Sequence, residues 1–118
     1  MTNPTGLPYT PAIRLGDWVI VSGQIGLVDG DLVSGGFDAE LSQALANLEA
    51  RLAEVDATMA DVVKTTVFLR HINDYRYMND LYGDAFPEPR PARSAFAVSE
   101  LPFGALVEIE AWAFTGTR

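Results

Sequence analysis

Four residues have the types and spacing to do chemistry: Ser22, Arg93, Glu108 and Glu110. An arginine guanidinium holds a carboxylate through two parallel hydrogen bonds, and a glutamate beside it can position and deprotonate a water. With a hydroxyl nearby, that is sufficient equipment for hydrolysis of a small anionic substrate. The bland alternative is that Arg93 and Glu108 simply neutralise one another across neighbouring strands, as ion-pair networks commonly do.

Composition narrows the chemistry. The chain has 118 residues, no cysteine and one histidine, so thiolate catalysis, disulfides and Cys or His metal clusters are excluded; the expectation is no metal and no cofactor. A formal net charge of −8 opposes binding to phosphate backbones, which depends on clustered Lys and Arg. No apolar run approaches the roughly 20 residues of a membrane helix, and Met1 to Thr10 lack a basic stretch followed by an apolar one. A cytoplasmic protein with no nucleic-acid or membrane partner is expected. A hydrophobic fraction of 48% in a chain of this length fits one domain, residues 1–118, around one core.

The elements that must position these residues follow from pattern. Residues 17–25 (DWVIVSGQI) are rich in β-branched and aromatic types and read as a strand. Asp29, Gly30 and Asp31 supply hairpin turn chemistry before a short strand reaching Val33. From Asp38 to Val55, Leu41, Leu45, Leu48, Leu52 and Val55 recur at spacings of four and three and place an apolar stripe on one helix face. Glu40, Gln43, Asn47, Glu49, Arg51 and Glu54 mostly take the other face. Asp61 to Arg70 reads as a strand. Asn73 or Asp74 is positioned to cap a second helix, with Tyr75, Met78, Tyr82, Ala85 and Phe86 inward. Pro87, Pro89 and Pro91 end that helix as a stiff connection to strands at 94–98 and 105–114. The order predicts an α+β fold, a mixed sheet with two helices covering one face.

Alternation along each strand splits the sheet into two faces. Val19, Val21, Ile25, Val63, Val67, Leu69, Phe96, Val98, Val107, Ile109, Ala111 and Ala113 form the set expected under the helices. The other set contains Trp18, Ile20, Ser22, Gln24, Lys64, Thr66, Phe68, Arg70, Arg93, Ala95, Ala97, Leu106, Glu108, Glu110 and Trp112. So many large apolar groups on an uncovered face mark an association surface. Trp18 and Trp112 are accordingly read as interface packing, and His71 as a surface or capping residue.

The strings Pro8-Tyr9, Val21-Ser22-Gly23-Gln24-Ile25, Asp61 to Leu69 (DVVKTTVFL), Asn79 with Tyr82, Pro91-Ala92-Arg93-Ser94 and Leu106 to Ala111 (LVEIEA) together resemble the RidA (YjgF) family over nearly the whole chain. The resemblance implies a chorismate-mutase-like (YjgF-like) two-layer fold and a homotrimer whose sheets form a central barrel, with clefts between subunits. It also implies an activity: hydrolytic deamination of enamine and imine intermediates such as 2-aminoacrylate to 2-oxo acids and ammonia, without a cofactor.

Carried over by position, Arg93 anchors the substrate carboxylate and Glu108 activates the attacking water. Tyr9 and Ser22 line the cleft, Asn79 supports the site, and Gly23 and Gly104 permit close backbone approach. Glu110 is expected to raise the pKa of Glu108 by like-charge repulsion. The sequence departs from the family pattern in three places. Ala95 stands where many relatives have cysteine, leaving only its backbone amide; Leu7 replaces a glycine before Pro-Tyr; and Phe103 replaces a frequent lysine. These bear on substrate range. The alternative function is a trimer that binds or senses small carboxylates such as keto acids or amino acids without turnover. An endoribonuclease role conflicts with the acidic charge, and nothing in the sequence argues specifically for a chaperone role.

Overall fold

A computed structural model describes residues 6–117, so the stretch from Met1 to Thr5, part of that read for a leader, lies outside the described residues. Seven strands and two α-helices follow in the order β1 (Ala12–Leu15), β2 (Trp18–Gln24), β3 (Leu27–Val28), β4 (Asp31–Leu32), α1 (Phe37–Ala53), β5 (Val62–Leu69), α2 (Tyr75–Ala85), β6 (Ala92–Ala97) and β7 (Val107–Phe114). The main sheet has the order β1-β2-β7-β5-β6, and β3 with β4 forms a separate ribbon. β5 and β6 run parallel, joined through α2; the other pairs are antiparallel. No helix among the described residues is long and apolar enough to cross a membrane.

Two strands, β1 and β3, were not expected from sequence. β1 pairs with β2 through a two-residue turn, with Leu15 opposite Trp18, and Gly16 adopts φ 60. Tight hairpin turns need positive φ at that position, where glycine has no Cβ to clash. The ribbon turn uses the same device, with Asp29 at φ 52 and Gly30 at φ 86. It is a separate element and not a continuation of β2. Asp74 occupies the N-cap position of α2, but makes no side-chain capping bond.

The helices lie on one face. Leu41, Leu45, Leu48 and Leu52 of α1 and Met78 and Tyr82 of α2 are buried with Val19, Val21, Val67, Leu69, Val107, Ile109, Ala111 and Ala113 of the sheet. Fully burying one such side chain stabilises by about 1.5–3 kcal/mol, so this layer is the main source of cohesion.

Two of the residues assigned to the outer side of α1 point inward. Glu40 is buried and its Oε1 accepts a hydrogen bond from the Leu106 amide at 2.7 Å. Asn47 Nδ2 donates to the Ile25 and Leu27 carbonyls at 2.9 and 3.0 Å, tying the end of β2 to the helix.

Two bulges and one parallel pairing change the expected faces. In β5 the register shifts between Val62 and Lys64, so Val62 is buried opposite Ala113 and Val63 is the extra residue. In β2, Val21 faces Ala111 while Gln24 faces Ile109, leaving Ser22 and Gly23 as the bulge. In β6 the assignment is reversed: Arg93 pairs with the buried Thr65, and Phe96 pairs with Phe68. Paired residues share a face, so Arg93 and Ala95 lie on the helix side and Phe96 on the open side. The expectation failed because a phenylalanine was read as inward, whereas the open face is itself apolar.

That open face carries Trp18, Trp112 and Phe96, which are 43%, 44% and 45% exposed. Trp18 meets Trp112 edge-on at 6.2 Å and Phe114 at 5.0 Å, and Phe68 meets Phe96 at 5.4 Å. Lys64 Nζ donates to Ser94 Oγ at 2.7 Å between these aromatic groups.

Candidate active site

The expected site residues separate into two groups on opposite faces of the sheet. The first is built around Glu108 on β7, which lies opposite Phe68 on the open face. The β2 bulge brings Gly23 directly against it: a Cβ at Gly23 would overlap the Glu108 carboxylate. The missing side chain of Gly23 is thus the space Glu108 occupies, which is the close approach that requires glycine here.

A cleft of about 280 Å³ opens at this carboxylate, lined by Leu7, Tyr9, Gly23, Arg51, Phe103 and Glu108 among others. Ser22 is not among its lining residues; its hydroxyl donates to the Thr10 carbonyl at 2.8 Å and its amide to the Pro11 carbonyl at 2.9 Å. Ser22 therefore holds down the segment that carries Tyr9. Gly104 also shapes the site from outside it. It follows Phe103, whose backbone is left-handed at φ 63 and ψ 12, and itself adopts φ 70. A bulky residue in that region costs about 1–3 kcal/mol and persists where its surroundings hold it.

Burial pushes the Glu108 carboxyl above its ordinary value, and the negative charge of Glu110 adds to the rise. The expected repulsion from Glu110 is present, but desolvation is the larger cause. A carboxylate whose pKa is raised is a better proton acceptor from water.

The second group is built around Arg93 on β6. Its Nη2 donates to Asn79 Oδ1 at 3.0 Å and makes a long bond to the Tyr75 hydroxyl at 3.4 Å. The guanidinium carbon lies 4.8 Å from the Tyr82 ring centroid and 5.4 Å from that of Tyr75. Tyr82 is fixed in turn by a 2.6 Å hydrogen bond to Thr65 in the core, and burial pushes its phenol pKa up. Asn79, Tyr75 and Tyr82 all come from α2, so packing of this helix on β5 orients Arg93. Ala95, two residues along, is part-buried against the core and borders an open cavity with Tyr75 and Arg76.

Among the described residues no carboxylate lies within 4 Å of Arg93; the ion pairs are Arg51 with Glu54 and Arg90 with Glu88. Mutual neutralisation of Arg93 and Glu108 within one chain is therefore excluded. The expectation that Arg93 shares a face with Glu108 and Glu110 is corrected as well, because Arg93 lies beside the buried Thr65; the two glutamates do share the open face, opposite Phe68 and Thr66.

Sequence reasoning missed Glu40 and the aromatic cradle of Arg93. Tyr75 and Tyr82 at a spacing of seven on one helix face carried the signal for the cradle. Glu40 carried none, since an acid in the first turn of a helix reads as a dipole partner. Among the described residues no group of three or more His, Cys, Asp or Glu is placed to hold a metal ion.

Comparison with known proteins agrees with this architecture. A 2-iminobutanoate/2-iminopropanoate deaminase of Homo sapiens is 42% identical over 92% of this chain and 81% of its own length. A RutC family protein of Drosophila melanogaster is 45% identical over 93% of this chain and 81% of its own. The crystal structure of RidA from the Antarctic bacterium Psychrobacter superposes with a TM-score of 0.88 at 33% identity, covering 92% of this chain and 89% of that one. The family model described as Endoribonuclease L-PSP matches residues 2–115. With its two-layer architecture and a match along nearly its whole length, the chain belongs to the RidA (YjgF) family.

Proposed function

We propose that the protein is a deaminase that hydrolyses 2-imino acids and their enamine tautomers to 2-oxo acids and ammonia, in clefts formed between subunits of a homotrimer. The observation that carries this reading is the isolated guanidinium of Arg93, held by Tyr75, Asn79 and Tyr82 with no carboxylate within 4 Å among the described residues. Such a group is preorganised for an external carboxylate. The relative's name, 2-iminobutanoate/2-iminopropanoate deaminase, supplies a substrate class with that carboxylate.

In this reading Arg93 anchors the substrate carboxylate, and Glu108 takes a proton from water as the oxygen adds to C2 of the iminium. The resulting carbinolamine regains that proton on nitrogen, the C–N bond breaks, and the hydroxyl proton leaves with the ammonia. Iminium plus water thus gives 2-oxo acid plus ammonium, with Glu108 returned to its starting state. An enamine enters the same route after protonation at C3. Tyr9 and Gly23 bound the water side, while Asn79 and Ala95 belong to the carboxylate side.

Because Arg93 and Glu108 lie on opposite faces, a cleft using both needs Arg93 from one subunit and Glu108 from another. The exposed aromatic face bearing Trp18, Phe96 and Trp112 supplies a surface for such association. The test is oxo-acid formation from imino acids generated in situ by an amino-acid oxidase, run with sedimentation of the same samples. Acceleration by the wild type, its loss in folded Arg93→Ala and Glu108→Gln, and a trimeric mass are expected. A monomer at working concentration, or no acceleration with any imino acid, would sink the proposal.

A further inference from the structure

Resting on the hydrolytic reading above, we infer that the wall formed by Leu7, Tyr9 and Phe103 selects imino acids with a sizeable apolar side chain, branched aliphatic or aromatic, over those with methyl or ethyl groups. These three residues are 41%, 51% and 65% exposed and border the same cleft as Glu108. Large apolar groups left in water around a reacting carboxylate gain most from a ligand that covers them.

Phe103 is the informative member. Its turn is closed by bonds from the Gly104 amide to the Leu101 carbonyl at 3.2 Å and from the Ala105 amide to the Pro102 carbonyl at 3.1 Å. The left-handed backbone at φ 63 is one that glycine or asparagine adopts with less strain. Turn geometry therefore does not account for the phenyl ring, whereas a rigid apolar wall at the cleft mouth does. An acidic side chain is disfavoured. The Glu108 carboxylate lines the same cleft and repels it.

The experiment compares kcat/KM for imines generated from alanine, leucine and phenylalanine, in wild type, Phe103→Gly and Leu7→Ala. Phe103→Gly removes the ring and keeps the backbone conformation. The leucine-derived and phenylalanine-derived imines are expected to exceed the alanine-derived one by about tenfold in the wild type, and each substitution lowers that ratio by about tenfold. A wild-type ratio near one overturns the inference. So does an equal loss on all three substrates, which makes the wall a water barrier, or a change of assembly state in Phe103→Gly, which assigns the ring to subunit packing. If the wild type accelerates none of the three imines, the hydrolytic reading itself fails, an outcome distinct from lost selectivity.

Discussion

Arg93 and Glu108 lie on opposite faces of one sheet with β5 between their strands. Their separation turns the proposed site into a statement about assembly. Folded Arg93→Ala and Glu108→Gln subunits are each expected to be inactive alone. After denaturation and co-refolding in equal amounts, about a quarter of the clefts of a cyclic trimer combine an intact Arg93 with an intact Glu108. Recovery of activity on mixing, measured as imine hydrolysis, checks this; a mixture as inactive as its parts places both groups in one chain's site.

The pH dependence follows from the raised pKa of Glu108. Acting as a base, it works when deprotonated, so activity falls as pH drops through its raised pKa. Replacing Glu110 by Gln removes the smaller cause and shifts the acid limb of the kcat/KM profile to lower pH without abolishing it. Stability runs the other way. The folded state binds this proton more tightly than the unfolded one, so its contribution is favourable at low pH and is lost as pH rises from the ordinary 4.5 through the raised value. Glu108→Gln is therefore expected to melt higher than the wild type near pH 7, with the gap closing toward pH 4, while the rate falls by about 10²–10⁴-fold. Thermal melts at both pH values and a pH–rate profile check the pair.

Gly23→Ala places a methyl group where the Glu108 carboxylate stands. The backbone conformation at Gly23 is not among the positive-φ positions, so alanine is tolerated by the chain and the conflict falls on Glu108. Displacing a catalytic group by about an ångström costs on the order of 100-fold in rate. A loss of kcat/KM on that scale with an unchanged circular-dichroism spectrum is expected.

Glu40 gives a test remote from the cleft. Removing its carboxylate in Glu40→Ala strands the Leu106 amide, which lies two residues before Glu108, and costs about 1–3 kcal/mol. Glu40→Gln keeps an acceptor oxygen and loses less. Urea denaturation of both variants measures the difference, and an equal loss in both would mean that charge, not the hydrogen bond, is what Glu40 contributes.

The sequence by itself determined the order of the two helices and the main-sheet strands from β2 onward, the buried stripe of α1 and the family, and it nominated Arg93, Glu108 and Gly23 as candidate site residues. These rest on local patterns: period-two and period-3.6 burial, Asp-Gly turns, and short strings in a fixed order. β1 was not legible, because Ala12 to Leu15 is a short edge strand whose pairing is fixed by the turn at Gly16 and by β2, not by its own alternation. Alternation placed Val19, Val21, Val67, Leu69, Val107, Ile109, Ala111 and Ala113 under the helices, as found, and tertiary structure decided the faces at the bulges and along β6. One extra residue at Ser22-Gly23 and another at Val63 reset the alternation, and the parallel register of β6 on β5 sends Arg93 to α2 and Phe96 to the open side. Since side-chain direction in a strand has period two, a one-residue slip inverts every assignment beyond it. The candidate residues were therefore readable along the chain, but their division between two faces of the sheet was set by strand registers that local sequence does not encode.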